Sequence, residues 1–195
     1  MHGLINGSIQ CFLTDTYGGA EWRAIAARAG IASDGFEAML TYEASLTWAV
    51  LDAAAARLET PRAMLLEDLG TYLVSHPNVA ALRRLLRFGG DSFVEFLHSL
   101  DELHDRARLA VPDLDLPVLE LVDNGHTDFT LHVRYDMPGF GHVLIGILRA
   151  MADDYGALVC LDYRGARHGV ETIGVEVIEL AFASGRDFAL AAPGP

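Results

Sequence analysis

Residues 91–110 read DSFVEFLHSLDELHDRARLA, and the spacing of their apolar side chains is helical. Phe93, Leu97, Leu100, His104 and Ala107 step by three or four residues and share one face, while Glu95, His98, Glu102 and Asp105 take the opposite one. The pattern predicts one helix, capped by Asp91, with a histidine among its inward side chains. A neutral imidazole packed among Phe and Leu needs a hydrogen-bond partner or a metal for its ring nitrogens, because an unpaired buried group costs about 1–3 kcal/mol. His104 is therefore either an ordinary core histidine satisfied by the protein or a ligand.

Working back from this helix, every segment is helical. Leu4–Tyr17 places Leu4, Ile5, Ile9, Phe12 and Leu13 in one stripe that stops at Gly18-Gly19, and Glu21–Ala29 repeats the pattern and ends at Gly30. Ser33 and Asp34 offer caps for a further turn, and Tyr42–Leu58 is an alanine-rich helix. Thr60-Pro61 reads as an N-cap and first helical residue for a helix running to His76, where Pro77 stops it, and Val79–Phe88 adds a short amphipathic piece.

Forward of Pro112 the period falls from about 3.6 to 2. Val118–Val122 and Phe129–Tyr135 flank Asp123-Asn124-Gly125, a hairpin signal. Gly139 and Gly141 open a helix over Phe140–Tyr155, and strands follow over Leu158–Tyr163 and Val175–Ala183. The expected fold is α+β: an N-terminal lobe of six or seven helices, then an antiparallel sheet of about four strands with one inserted helix. Residues 1–188 read as one domain and 189–195 as a loose tail.

Composition removes several function classes. The 27 acidic against 14 basic residues, a formal charge of −13, oppose nucleic acid and anionic lipid as partners. No run reaches the roughly 18 apolar residues of a membrane span, the start lacks a signal-peptide plan, and the two cysteines lack metal spacing, so a cytoplasmic protein is expected. Gly139-Phe140-Gly141 lacks the third glycine of a dinucleotide loop, and no G-x-S-x-G, Walker loop, C-x-x-C or H-E-x-x-H occurs, so no enzyme is expected. None of the eight histidines pairs at i,i+3 or i,i+4, so a metal would have to bring other ligands with it, as a porphyrin does.

Three stretches together resemble the haem nitric oxide/oxygen binding (H-NOX) family, the domains related to the sensor region of soluble guanylate cyclase: the start Met1-His2-Gly3-Leu4-Ile5, the segment Leu100-Asp101-Glu102-Leu103-His104, and Pro112 to Pro117-Val118-Leu119 at the first strand. The resemblance implies haem b, with His104 as its proximal iron ligand and Pro117 beside the macrocycle. Leu100 belongs to the ligand-bearing segment. By match to the family's pocket, Leu4, Ile5, Ile9, Leu73, Val143 and Ile147 form the wall facing the gas, an apolar set that implies nitric oxide before oxygen or another diatomic. His142 reads either as a distal donor or sixth ligand, or as a half-exposed residue near a helix start.

The chain departs from the family at its Y-x-S-x-R signature, whose side chains hold the haem propionates. Counting forward from His104 puts Val133, Tyr135 and Met137 at those positions. Tyr135 can donate one hydrogen bond, Met137 cannot replace a guanidinium, and Arg134 should point to the other side of the strand. The expected function is a gas sensor acting in trans on a histidine kinase or cyclic-di-GMP enzyme. The alternatives are an H-NOX-fold module that has lost haem and binds another apolar or tetrapyrrole ligand, and a partner-docking domain without ligand.

Overall fold

A computed structural model describes residues 1–32, 35–110, 115–125 and 127–186. The caps expected at Ser33 and Asp34 lie outside this set. The chain divides into two compact units, with the division between Leu69 and Gly70.

The first unit contains α1 (Gly3–Tyr17), α2 (Gly19–Ala29), α3 (Ala44–Leu58) and the start of α4 (Arg62–Ser75). Its core joins Ile9, Phe12 and Leu13 to Trp22, Ile25, Val50 and Leu51, with one buried polar pair in which the Thr47 hydroxyl donates to Asn6 Oδ1 at 2.7 Å. Gly3 passes directly against the Glu37 and Leu40 carbonyls, where any side chain would overlap backbone, and its N–H donates to Leu40 O. His2 caps α1 by accepting from the Leu4 N–H.

The second unit continues from the end of α4 through a 3-10 turn (Pro77–Val79), α5 (Ala80–Arg87), α6 (Phe93–His98), a second 3-10 segment (Ser99–Glu102) and α7 (Leu103–Ala110). Strands β1 (Val118–Asp123) and β2 (Asp128–Arg134), helix α8 (Phe140–Tyr155), and strands β3 (Leu158–Arg167) and β4 (Val170–Glu179) complete it. The sheet is antiparallel throughout, in the order β1-β2-β4-β3. Phe129, Leu131 and Val133 of β2 and Ile173, Val175 and Val177 of β4 face inward, and α8 packs along β3 and β4. Among the described residues, seven α-helices thus precede a four-stranded antiparallel sheet with one helix inserted, as the periodicity predicts.

Two local expectations are corrected. The helix expected over residues 91–110 is broken by the 3-10 segment, and its cap is Ser92 rather than Asp91: Ser92 Oγ accepts from the Glu95 N–H while the Glu95 carboxylate accepts from the Ser92 N–H. The first hairpin forms where the Asn-Gly signal puts it, with Gly125 at φ 96° and its N–H bonded to Asp123 Oδ1. The last strand starts at Val170, five residues before the expected Val175, because a two-residue turn with His168 at φ 52° and Gly169 at φ 77° pairs Arg167 with Val170. It ends at Glu179, after which the chain returns to the end of α8, with the Ala183 N–H donating to Gly156 O and the Arg186 N–H to Asp154 O.

Among the described residues, no helix is long and apolar enough to cross a membrane, and no group of three or more His, Cys, Asp or Glu is placed to hold a metal.

Candidate functional site

The break before α7 is built from side chains. Ser99 Oγ donates to Phe96 O at 2.7 Å, and Arg106 reaches back to donate to Ser99 O at 2.9 Å. Asp101, in the 3-10 segment, accepts the Leu121 N–H at 2.8 Å and ties this corner to β1. Leu100 is buried behind the corner and His104, one turn on, is half-buried rather than sunk in the core. The description does not include the Ala107 side chain.

His104 Nδ1 lies 3.1 Å from Leu116 O. A carbonyl only accepts, so Nδ1 carries a proton, and in the tautomer that this bond selects Nε2 holds the lone pair. Nε2 has no hydrogen-bond partner among the described residues. Metal-binding histidines are commonly oriented this way, with one nitrogen donating to a carbonyl and the other left for the metal. Pro117 follows the accepting residue directly.

The adjacent carbonyl, Asp115 O, accepts the Tyr135 hydroxyl at 3.0 Å. Burial, with Asp115 and Asp136 adding negative charge, pushes the Tyr135 pKa up to about 12. The other two signature positions are apolar and buried, Val133 and Met137 each 1% exposed. Arg134 points to the outer face and pairs with Glu120 at 3.3 Å.

Pairing sets Leu119, Val133, Glu171 and Ala166 in one row across the four strands. Glu171 is only 6% exposed. Its carboxylate accepts the Gly139 N–H at 2.8 Å, the Gly141 N–H at 3.1 Å and the Tyr163 hydroxyl at 2.7 Å, so it sits on the first turn of α8. Burial, then the bond to Glu171 and its charge, push the Tyr163 pKa up to about 12. The His142 ring stacks on Tyr163 at 4.2 Å. Gly139, at φ 87°, makes the turn, and a Cβ on Gly141 would stand 2.7 Å from Glu171 Oε2 and 2.9 Å from the Tyr163 ring, so those side chains would have to shift to admit it.

Val143 and Ile147 are buried on α8. Gly70 brings the second half of α4, which carries half-buried Leu73, against the α8 backbone at Val143. Leu4, Ile5 and Ile9 lie on α1 in the first unit, Ile9 buried and the other two half-buried. Sequence reasoning missed the carbonyl partners of His104 and Tyr135, which leave no trace in residue type. It also missed Glu171, although a charge at an inward position of an alternating strand would have marked it once β4 was started at Val170.

The residues fit a haem at one end only. Nε2 of His104 is a suitable iron ligand, whereas the buried Val133, Met137 and Glu171 offer no cation to a pair of carboxylates.

The chain is an α+β domain with a helix-borne imidazole oriented from one nitrogen and open at the other. Residues 2–162 match the family described as Haem-NO-binding, and the chain belongs to that family, the H-NOX domains. It is 27% identical over 154 residues to soluble guanylate cyclase gcy-31 of Caenorhabditis elegans, an alignment spanning 79% of this chain and 22% of that protein. Against the soluble guanylate cyclase subunit beta-2 of Rattus norvegicus the identity is 28% over 91 residues, covering 47% of this chain and 13% of the other. The chain thus spans less than a quarter of the length of these curated relatives. The fold is similar to the Fe(II) unliganded H-NOX protein from K. algicida, with a TM-score of 0.79, 16% identity, and coverage of 94% of this chain and all of that one. An oxygen-binding H-NOX domain related to soluble guanylate cyclases gives a TM-score of 0.69 at 13% identity, covering 96% of this chain and all of that domain.

Proposed function

We propose that this chain is a cytoplasmic haem-based gas sensor in which His104 is the proximal iron ligand and nitric oxide is favoured over oxygen. The observation that carries the reading is the His104 tautomer, whose Nδ1–H is held by Leu116 O while Nε2 is left with its lone pair. Haem supplies the iron that binds the diatomic gas. The chain's own contribution is to orient His104, to wall the gas side with Leu73, Val143 and Ile147 of the second unit, and to convert a change at His104 into movement. The apolar set offers bound oxygen no hydrogen-bond donor, which favours nitric oxide.

Two tethers carry the movement, Leu116 O on the imidazole and Asp101 on the Leu121 N–H. Release of His104 shifts the α6–α7 segment against β1 and signals in trans to a partner enzyme, a histidine kinase or a cyclic-di-GMP enzyme. The test is an absorption spectrum of haem-reconstituted protein. A Soret band is expected that is lost in His104→Ala and restored by added imidazole; its absence from the wild-type protein overturns the proposal.

A second reading, a module of the same fold that holds another apolar or tetrapyrrole ligand, is favoured by the buried apolar Val133 and Met137. Native mass spectrometry with haem at full occupancy would reject it.

A further inference from the structure

Among the described residues, the second unit contains one buried carboxylate whose partners are all neutral. Glu171 faces inward directly across from Val133, and its oxygens take two backbone N–H groups at the start of α8 and the Tyr163 hydroxyl. Among the described residues no cation pairs with it, and the nearby guanidinium of Arg134 is turned outward to Glu120. The first turn of a helix is a natural seat for an anion, and here the chain fills that seat from within. A Cβ on Gly141 would stand 2.7 Å from Glu171 Oε2, so that seat is closely built.

We propose that Glu171 determines the class of ligand this site accepts: an iron macrocycle whose edge toward β2 and α8 is uncharged, in preference to one presenting free carboxylates there. The inference rests on His104 as the iron ligand and concerns the opposite requirement, how the periphery of the ligand is held. A carboxylate entering beside Val133 and Met137 would meet a like charge in partly buried surroundings and find no guanidinium to offset it. An ester or other neutral edge would meet two apolar side chains and lose nothing.

The experiment titrates the full apo chain with iron protoporphyrin and, separately, with its dimethyl ester, reading Kd from the Soret band. The wild-type protein should bind the ester roughly tenfold more tightly, which corresponds to about 1.4 kcal/mol of like-charge repulsion. E171Q and, independently, M137R should each bring the ratio of the two Kd values to within about threefold of unity by strengthening binding of the free acid. Equal or tighter binding of the free acid by the wild-type protein, or a ratio unmoved in both variants, overturns the proposal while leaving His104 as ligand intact. If neither macrocycle gives a His104-dependent Soret band, the sensor reading falls and this inference falls with it.

Discussion

His104 and Tyr135 are bonded to consecutive carbonyls, the imidazole to Leu116 O at 3.1 Å and the phenol to Asp115 O at 3.0 Å. The histidine of α7 and the residue that follows β2 are thus both attached to the short segment preceding Pro117. Tyr135, at the central position of the altered signature, braces the backbone that orients the candidate ligand.

Removing that brace should be felt at His104. Tyr135→Phe is expected to lower stability by about 1 kcal/mol, the net worth of one hydrogen bond, and to broaden the Soret band of reconstituted protein while the helical content is unchanged. Urea unfolding and absorption spectra check both; an unaltered band would mean that Asp115 is held by other contacts.

Tyr135 and Tyr163 both carry pKa values pushed up to about 12. The folded chain therefore keeps these protons at pH values where unfolded tyrosine, with a pKa near 10, gives them up. Their contribution to stability is complete below about pH 10 and is lost as pH rises through about 12. A spectrophotometric titration should show these two phenols ionising last, and Tyr163→Phe should remove one of the late steps.

Asp154, at the end of α8, is fully buried, and Arg83 donates to its Oδ1 from Nε at 3.0 Å and Nη2 at 2.7 Å. Arg87 stacks its guanidinium 3.9 Å from the ring centre of Tyr155, whose hydroxyl donates to Gly90 O just before α6. Asp154→Asn removes the buried charge that Arg83 donates to and that lies 3.6 Å from Arg87 Nε, and is expected to cost about 3 kcal/mol, because breaking a buried ion pair is strongly destabilising. A fall in the urea midpoint with unchanged m-value is the expected result.

Glycines separate by surroundings. Gly70→Ala drives a methyl into the Val143 carbonyl and should destabilise the protein by about 1–3 kcal/mol by forcing α4 and α8 apart. Gly7→Ala, in α1 with nothing near its missing Cβ, should stabilise it by about 0.5–1 kcal/mol. Thermal unfolding of the two variants should move in opposite directions.

Residue spacing alone was enough to locate α1, α8, β1 and β2 to within two residues, and to single out His104, because burial of one face repeats at the period of each element and is written locally. The change of period after Pro112 likewise made the helices-then-sheet order legible. Nothing local announced that the helix expected over 91–110 would break at Ser99–Glu102, since the break is held by Arg106 and by an amide of β1. Nor could spacing place Glu171 opposite Val133, an adjacency created when β4 inserts between β2 and β3. Hydrogen bonds to backbone carbonyls, such as those of Leu116 and Asp115, depend on where distant segments meet. They carry no signature in side-chain chemistry, so only the folded chain decides which nitrogen of His104 is left to bind.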